Sequence, residues 1–141
     1  MPFEPVHTVW DYYDGPRVGL ADFEGKPHYY YCEWAADAGG YADTYRLSPV
    51  DADTLQLAQE QWQLWRDWEA AFHAGKVTQE SHPGHGGTNE RYDQLEEMLQ
   101  ERLASCRALP SPYRGTFRPA AESSELPKGV TRDLEVEWHR A

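Results

Sequence analysis

The stretch "DYYDGPRVGLADFEGKPHYYYCEW", Asp11 to Trp34, decides the fold of this chain. Its alternating segments are interrupted by turn sequences at Asp14-Gly15-Pro16 and at Glu24-Gly25-Lys26-Pro27, a pattern typical of two consecutive β-hairpins. A loop with Gly39-Gly40 follows, and the chain then resumes an extended pattern. We predict a four-stranded antiparallel meander within residues 1–50, with strands at His7–Tyr13, Arg17–Phe23, His28–Trp34 and Asp43–Leu47.

Two helices are predicted after the meander. The first, the Trp-rich helix of residues 51–76, begins after Pro49 with Asp51 or Asp53 as its cap and ends at Gly75. Its apolar side chains cover an arc of about 200°, which is wide enough to contact more than one neighbour. We therefore expect this helix to lie between the sheet and either the second helix or a second copy of the protein.

The second helix occupies residues 88–109, beyond a His/Gly-rich loop at 77–87, and Thr88 or Asn89 is its predicted cap. Residues 110–141 contain two further strands, the last of which shows the clearest alternation in the chain, with Leu134, Val136 and Trp138 on one face. The predicted fold class is α+β: residues 1–141 form a single domain with an antiparallel sheet of five or six strands, built from the N-terminal meander and the C-terminal strand pair and packed against two helices.

Charge and composition exclude several functional classes. The net charge is −11 over 141 residues with no compensating basic stripe, which disfavours nucleic-acid binding and favours a basic protein partner. No apolar run approaches the roughly eighteen residues of a membrane span. The first ten residues resemble no targeting signal, so we expect a cytoplasmic protein with Cys32 and Cys106 as reduced thiols.

The tyrosines of the third strand allow two interpretations. Cys32 and Trp34 are expected to face inward, with the last strand and the tryptophans of the Trp-rich helix, while Tyr29 and Tyr31 face outward. The favoured interpretation is cross-strand packing of the outward tyrosines near Trp10 and Tyr12. The alternative is an aromatic surface for a ligand or a protein, with Tyr29 and Tyr31 as partner-binding residues.

A line of carboxylates follows one face of the second helix. Four acidic residues recur at spacings of three and four, where like charges repel each other, so this face is expected to meet solvent or a basic partner. The predicted partner-binding residues of this acidic line are Glu90, Asp93, Glu97 and Glu101.

A candidate metal or acid/base cluster lies around the His/Gly loop. Glu69 falls inside the apolar arc of the Trp-rich helix, where burial would raise its pKa unless Arg114, Arg118 or Arg132 pairs with it. With neighbouring histidines it offers nitrogen and oxygen ligands of the kind that a transition metal binds, although the spacing matches no established motif. The candidate ligands are Glu69, His73, His82 and His85, with Glu80 as an alternative carboxylate, against the interpretation of a solvated surface loop.

The function is expected to be protein association, because the sequence has no nucleophile elbow and no phosphate-binding loop. The primary prediction is a non-catalytic protein-interaction domain without a cofactor, with a homodimer through the Trp-rich helix as one form. One alternative is an acidic inhibitor or immunity-type protein that masks a basic enzyme surface. The other is a metal-dependent enzyme or small-molecule binder that uses the cluster around Glu69.

Overall fold

In the part of the chain that the structure describes, six antiparallel strands follow one another around a closed barrel, and two α-helices are inserted between the fourth and fifth strands. The computed structural model describes residues 2–120 and 133–141. The elements are β1 (Glu4–Tyr12), β2 (Pro16–Phe23), β3 (Lys26–Ala35), β4 (Gly40–Pro49), α1 (Ala52–His73), α2 (Glu90–Ala104), β5 (Tyr113–Pro119) and β6 (Leu134–Arg140). The predicted α+β class, with an antiparallel sheet and two helices in one domain, is confirmed.

The sheet closes through two short strand pairings, which we call the seams of the barrel. β6 pairs with β1 at Glu4↔Val136 and Pro5↔Glu135, and β5 pairs with β4 at Tyr45↔Tyr113. Every strand thus has a neighbour on both sides, which removes the free edges that an open sheet would expose.

Aromatic side chains fill the barrel. Trp138 is 1% exposed, and its ring centroid lies 5.4 Å from that of Tyr45 and 5.7 Å from that of Phe117. The Trp138 Nε1–H donates to the carbonyl oxygen of Asp22 at 3.0 Å, and the Tyr45 hydroxyl donates to that of Pro16 at 2.6 Å. Burial, followed by the nearby Cys32 thiol, raises the pKa of Tyr45 to about 12. The barrel interior is therefore a packed core.

The helices pack on the outer surface of the barrel, around Leu20, Ala58 and Leu99. The prediction that Trp34 shares one core with Cys32 and the tryptophans of the Trp-rich helix is wrong. Because the sheet closes on itself, its inward-facing side chains cover one another, and only the outer face is left for the helices. Cys32 does lie inside the barrel, but Trp34 is 61% exposed.

Each α-helix is capped by one of its two predicted residues, Asp51 for α1 and Asn89 for α2. The Asp51 carboxylate accepts from the Thr54 N–H at 2.7 Å, and the Asn89 side chain accepts from the Tyr92 N–H at 2.9 Å. α1 contacts α2 through a hydrogen bond from Gln61 to Glu96, and α2 is thus the second neighbour that the wide apolar arc predicted. Among the described residues, no helix has the length and apolarity needed to cross a membrane.

Candidate functional site

Large apolar side chains are exposed at one end of the barrel. Among the described residues, those that stand out are Tyr12 (67% exposed), Tyr13 (68%) and Trp34 (61%). Tyr41 joins them: its ring centroid lies 6.2 Å from that of Tyr13 and 5.2 Å from that of Trp34, the latter pair edge to face. We call these four residues the barrel-end aromatic patch.

The patch is exposed because the β3–β4 hairpin extends beyond the barrel. The register runs from Cys32↔Tyr45 to Trp34↔Tyr41, so a bulge adds two residues to β4 between these pairs. β3 pairs with β2 no further than Tyr31↔Val18, and β5 pairs with β4 at Tyr45↔Tyr113 alone, so among the described residues the end of the hairpin that carries Trp34 and Tyr41 has no strand paired beside it. Trp34 follows the inward-facing Cys32 by two positions, so the strand alternation would direct it into the barrel. It lies beyond the end of the barrel, however, and its side chain is therefore exposed.

Arg17 connects the two chain segments that carry the patch. It is 8% exposed, and it donates from Nε to the carbonyl of Tyr13 at 2.6 Å and from Nη2 to that of Asp14 at 3.1 Å. Its guanidinium carbon lies 4.8 Å from the centroid of the Tyr41 ring, within the range of a cation–π contact. One buried cation therefore holds the β1–β2 turn against the tip of the β3–β4 hairpin.

A second link joins the same two segments on the outer side. The Tyr41 hydroxyl donates to the Asp11 carboxylate at 3.1 Å, and this hydrogen bond raises the pKa of Tyr41. With Arg17 below Tyr41 and Asp11 at its hydroxyl, the ring is held from two directions. The patch is thus ordered before any partner binds.

Replacing Arg17 with Met should test this connection. Met keeps much of the apolar stem but cannot donate to the Tyr13 and Asp14 carbonyls, so we expect the free energy of unfolding to fall by about 1 to 3 kcal/mol. Hydrogen exchange should become faster at residues 13–15 and 36–41 while the barrel strands stay protected. Unchanged exchange at both tips would contradict the linking role of Arg17.

A groove of about 690 Å³ continues from the patch toward the Trp-rich helix, and Tyr12 belongs to both. Trp10, Trp62, Trp65 and Phe117 supply the other aromatic groups of its wall. Trp62 and Trp65 stack with their centroids 5.0 Å apart and their planes inclined by 13°. Their rings are only partly buried, so the aromatic surface runs from the end of the barrel onto α1.

The acidic line of α2 divides in the structure. Glu90, Glu97 and Glu101 are exposed, as expected for a face that meets solvent or a partner. Asp93 is half-buried, and its carboxylate accepts from the Gly87 N–H at 2.9 Å, so it also holds the end of the His/Gly loop. Partner binding by this line stays a prediction.

Tyr29 and Tyr31 lie on the outer face of β3, with their ring centroids 5.6 Å apart. Tyr29 also contacts Trp10, at 6.4 Å between centroids, and packs against the core beneath the helices. Burial is the main cause that raises the pKa of Tyr29. The side chains of Tyr29 and Tyr31 are both half-buried. The contacts of Tyr29 agree with the interpretation that the outward tyrosines pack across the strands near Trp10.

The candidate metal ligands lie on or beside α1. Glu69 is buried at 7% exposure, His73 and His85 are exposed, and the centroid of the His85 ring lies 5.5 Å from that of His82. Within residues 2–120 and 133–141, no group of three or more His, Cys, Asp or Glu side chains is arranged to hold a metal ion. The metal site therefore gains no geometric support and stays a prediction.

His82 attaches the His/Gly loop to α1. Its ring lies 4.5 Å from that of Trp68, and Trp65 Nε1–H points at its Nε2 at 3.2 Å while Gly84 N–H points at its Nδ1 at 2.9 Å. A neutral imidazole has one acceptor nitrogen, so it satisfies one of these donors at a time, and the protonated ring satisfies neither. Burial, and then the nearby His85, lower the pKa of His82.

This lowered pKa predicts a pH dependence of stability. The neutral His82 ring contributes to the free energy of unfolding, and this contribution is fully present above about pH 6.5, the ordinary pKa of an unfolded histidine. It is lost as the pH falls through the lower pKa of the folded state, because the unfolded chain binds the proton first. We expect H82Q to show a smaller loss of stability than the wild type between about pH 7.5 and about pH 5.5. Denaturant unfolding at both pH values measures this, with H73Q as the exposed control; equal pH dependence of H82Q and wild type would contradict it.

The chain was compared with family models, with curated proteins and with solved structures, and no significant match was found in any of them. The site therefore rests on its own geometry.

From the sequence, we named Tyr12 and Trp34 without assigning either to a binding site. We did not assign Tyr13, Arg17 or Tyr41 to one. The one local indication was a pair of tyrosines directly before the Asp14-Gly15-Pro16 turn, since large rings at a turn have little barrel to pack against.

Proposed function

We propose that this chain is a non-catalytic protein-interaction domain that binds a protein partner through the barrel-end aromatic patch. The observation that carries the proposal is the exposure of Tyr12, Tyr13 and Trp34 at one end of the barrel. Tyrosine and tryptophan are enriched at protein interfaces and among the residues that dominate binding energy, because they bury a large area with few rotatable bonds. Clustered exposed rings therefore favour association.

The support beneath the patch strengthens this proposal. Arg17 holds the backbone of one tip and the Tyr41 ring of the other, so the rings are positioned before binding. A binding surface that is already ordered loses less conformational entropy when a partner docks. The groove beside Tyr12 enlarges the surface toward α1, and a homodimer through the Trp-rich helix would use that side.

Site-specific photocrosslinking tests the proposal. A photoreactive phenylalanine derivative would replace Tyr13, in parallel with the same residue at Gln94 on the exposed side of α2 and at Gln56 on α1. In a lysate of the source cells we expect a discrete adduct from position 13 that is missing from position 56. W34A should reduce that adduct strongly while leaving the unfolding curve close to that of the wild type. No adduct from position 13 beyond that from position 56 would contradict the proposal.

The purified protein alone provides the test of self-association. A crosslinked species of twice the chain mass, together with a solution mass that rises with concentration, would identify a second copy as the partner. W62A should then shift the mass toward the monomer if α1 forms the dimer contact, whereas W34A should do so if the barrel-end aromatic patch does.

The exposed carboxylates of α2 favour a second candidate, an acidic inhibitor that masks a basic enzyme surface. Glu97 and Glu101 are exposed on this helix and are able to meet lysine or arginine groups of a partner. Replacing both with Lys should then weaken the complex and reduce its salt dependence. Crosslinking from Gln94 rather than from Tyr13 would favour this candidate.

A further inference from the structure

The two segments that carry the barrel-end aromatic patch are acidic. Residues 11–17 and 34–43 hold four aspartates and a single arginine. The aspartates are all exposed, whereas the arginine, Arg17, is buried and directed at main-chain carbonyls and the Tyr41 ring. The acidic positions are Asp11, Asp14, Asp37 and Asp43. A partner that approaches the rings therefore meets carboxylates around them.

Three of the four rings form a connected group, in which Tyr41 contacts both Trp34 and Tyr13. Centroid separations of 5.2 Å for Trp34 and Tyr41 and 6.2 Å for Tyr13 and Tyr41 are those of packed aromatic pairs. What the rings offer is exposed ring surface, to which a cation is attracted when it lies over the face of the ring.

Aromatic faces bordered by carboxylates select a particular side chain. The arginine guanidinium is planar, stacks on aromatic rings, pairs with carboxylates through two parallel hydrogen bonds, and is more weakly hydrated than the lysine ammonium. A second copy of this chain is a poor occupant, because it would bring its own aspartates against the same four and carries a net charge of −11.

We propose that the barrel-end aromatic patch recognises an arginine-bearing, positively charged segment of its protein partner. The guanidinium stacks on Trp34 or Tyr13 and pairs with a neighbouring aspartate. This inference rests on the proposed function and adds the chemistry of the partner to it. The groove beside Tyr12 gives the apolar neighbours of that arginine a surface on which to pack.

The probe is a blocked pentapeptide, Gly-Arg-Gly-Arg-Gly, titrated into the isotope-labelled full chain to roughly 10 mM and followed by amide chemical shifts. Its citrulline twin has nearly the same shape without the charge, and its lysine twin keeps the charge without the planar group. We expect saturable shifts at residues 12–15 and 34–43, with binding weaker on the order of tenfold for citrulline and roughly two- to fivefold for lysine.

Three single substitutions distinguish specific binding of the arginine peptide at the barrel-end aromatic patch from nonspecific attraction of a cationic peptide to an acidic protein. W34A should weaken the arginine peptide roughly two- to fivefold. Asp14 has a φ of 53°, a left-handed conformation that asparagine also tolerates, so D14N removes a patch charge without straining the turn. E97Q removes the same charge from the exposed face of α2 and is the matched control. D14N should weaken binding at the patch more than E97Q does.

The outcomes discriminate clearly. Equal binding of the arginine and citrulline peptides, shifts that centre on α2, or equal effects of D14N and E97Q would each overturn the inference. Absence of saturable shifts at the patch would overturn it too. If the peptide titration overturns the inference but position 13 still gives a specific photocrosslinked adduct, the proposed function stands and only the arginine preference is wrong. If position 13 gives no adduct either, the proposed function and the arginine preference are both wrong.

Discussion

Replacing Trp138 with Ala is expected to lower the free energy of unfolding by about 3 to 5 kcal/mol. The ring is 1% exposed and contacts Tyr30, Tyr45 and Phe117, so its removal leaves a large cavity at the centre of the barrel. It also leaves the Asp22 carbonyl without the hydrogen bond from Nε1. Denaturant unfolding followed by circular dichroism measures the loss.

Trp34 provides the matched control, since W34A makes the same chemical change at a side chain that is 61% exposed. We expect W34A to change stability by no more than about 0.5 kcal/mol. A W138A variant as stable as W34A would mean that the barrel interior is not the core of this fold. If W138A does not fold at all, W138F, which keeps a ring, should recover part of the lost stability.

Replacing Gly19 with Ala should destabilise the barrel by about 3 kcal/mol, near the upper end of the cost of over-packing. A Cβ at Gly19 would lie 2.1 Å from the Thr8 carbonyl oxygen and 2.6 Å from the Tyr30 hydroxyl. Those two atoms are hydrogen-bonded to each other at 2.9 Å. The added methyl group must therefore displace backbone of β1 and break this bond, because a carbonyl cannot rotate away as a flexible side chain would.

Gly40 in β4 is the control for Gly19, because a Cβ at Gly40 would meet nothing within 4 Å. Unfolding of G19A and G40A in parallel separates steric conflict from the general effect of replacing a strand glycine. G40A should be as stable as the wild type or slightly more stable, because alanine restricts the unfolded chain. A G19A variant within about 0.5 kcal/mol of the wild type would contradict the close approach of β1 and β2.

Local patterns predicted the elements but not the closure of the sheet. Alternation placed Val136 and Trp138 on one face, and the capping residues Asp51 and Asn89 were visible because such preferences act within a few residues. The pairing of β1 with β6 joins positions 4 and 136 and has no local pattern. Alternation also shows which residues share a face without showing which face the helices cover, and this is why α1 was assigned to the wrong side.

The candidate site was less predictable than the fold. Tyr30 and Tyr13 are the same residue type in the same quoted stretch, yet one is at the centre of the barrel and the other is exposed. The difference comes from where the strands end and from the bulge beyond Cys32, neither of which leaves a mark in the hydrophobic pattern. Glu69 was placed inside the apolar arc by the helical wheel and is 7% exposed, but the wheel alone did not decide between a buried carboxylate and one that is half exposed or paired with an arginine.

The two short seams of the barrel have a mechanical consequence for the β5–β6 hairpin. Seven residue pairs join β5 to β6, but a single pair connects β5 to β4 and two connect β6 to β1. The hairpin is therefore attached to the rest of the barrel mainly by the side chains it inserts, Trp138 above all. Under a pulling force on the C-terminus, the β5–β6 hairpin should detach from the barrel as one unit. The same hairpin, supplied as a separate chain, should be able to bind the remaining strands and restore the packed barrel interior, as one half of a split protein.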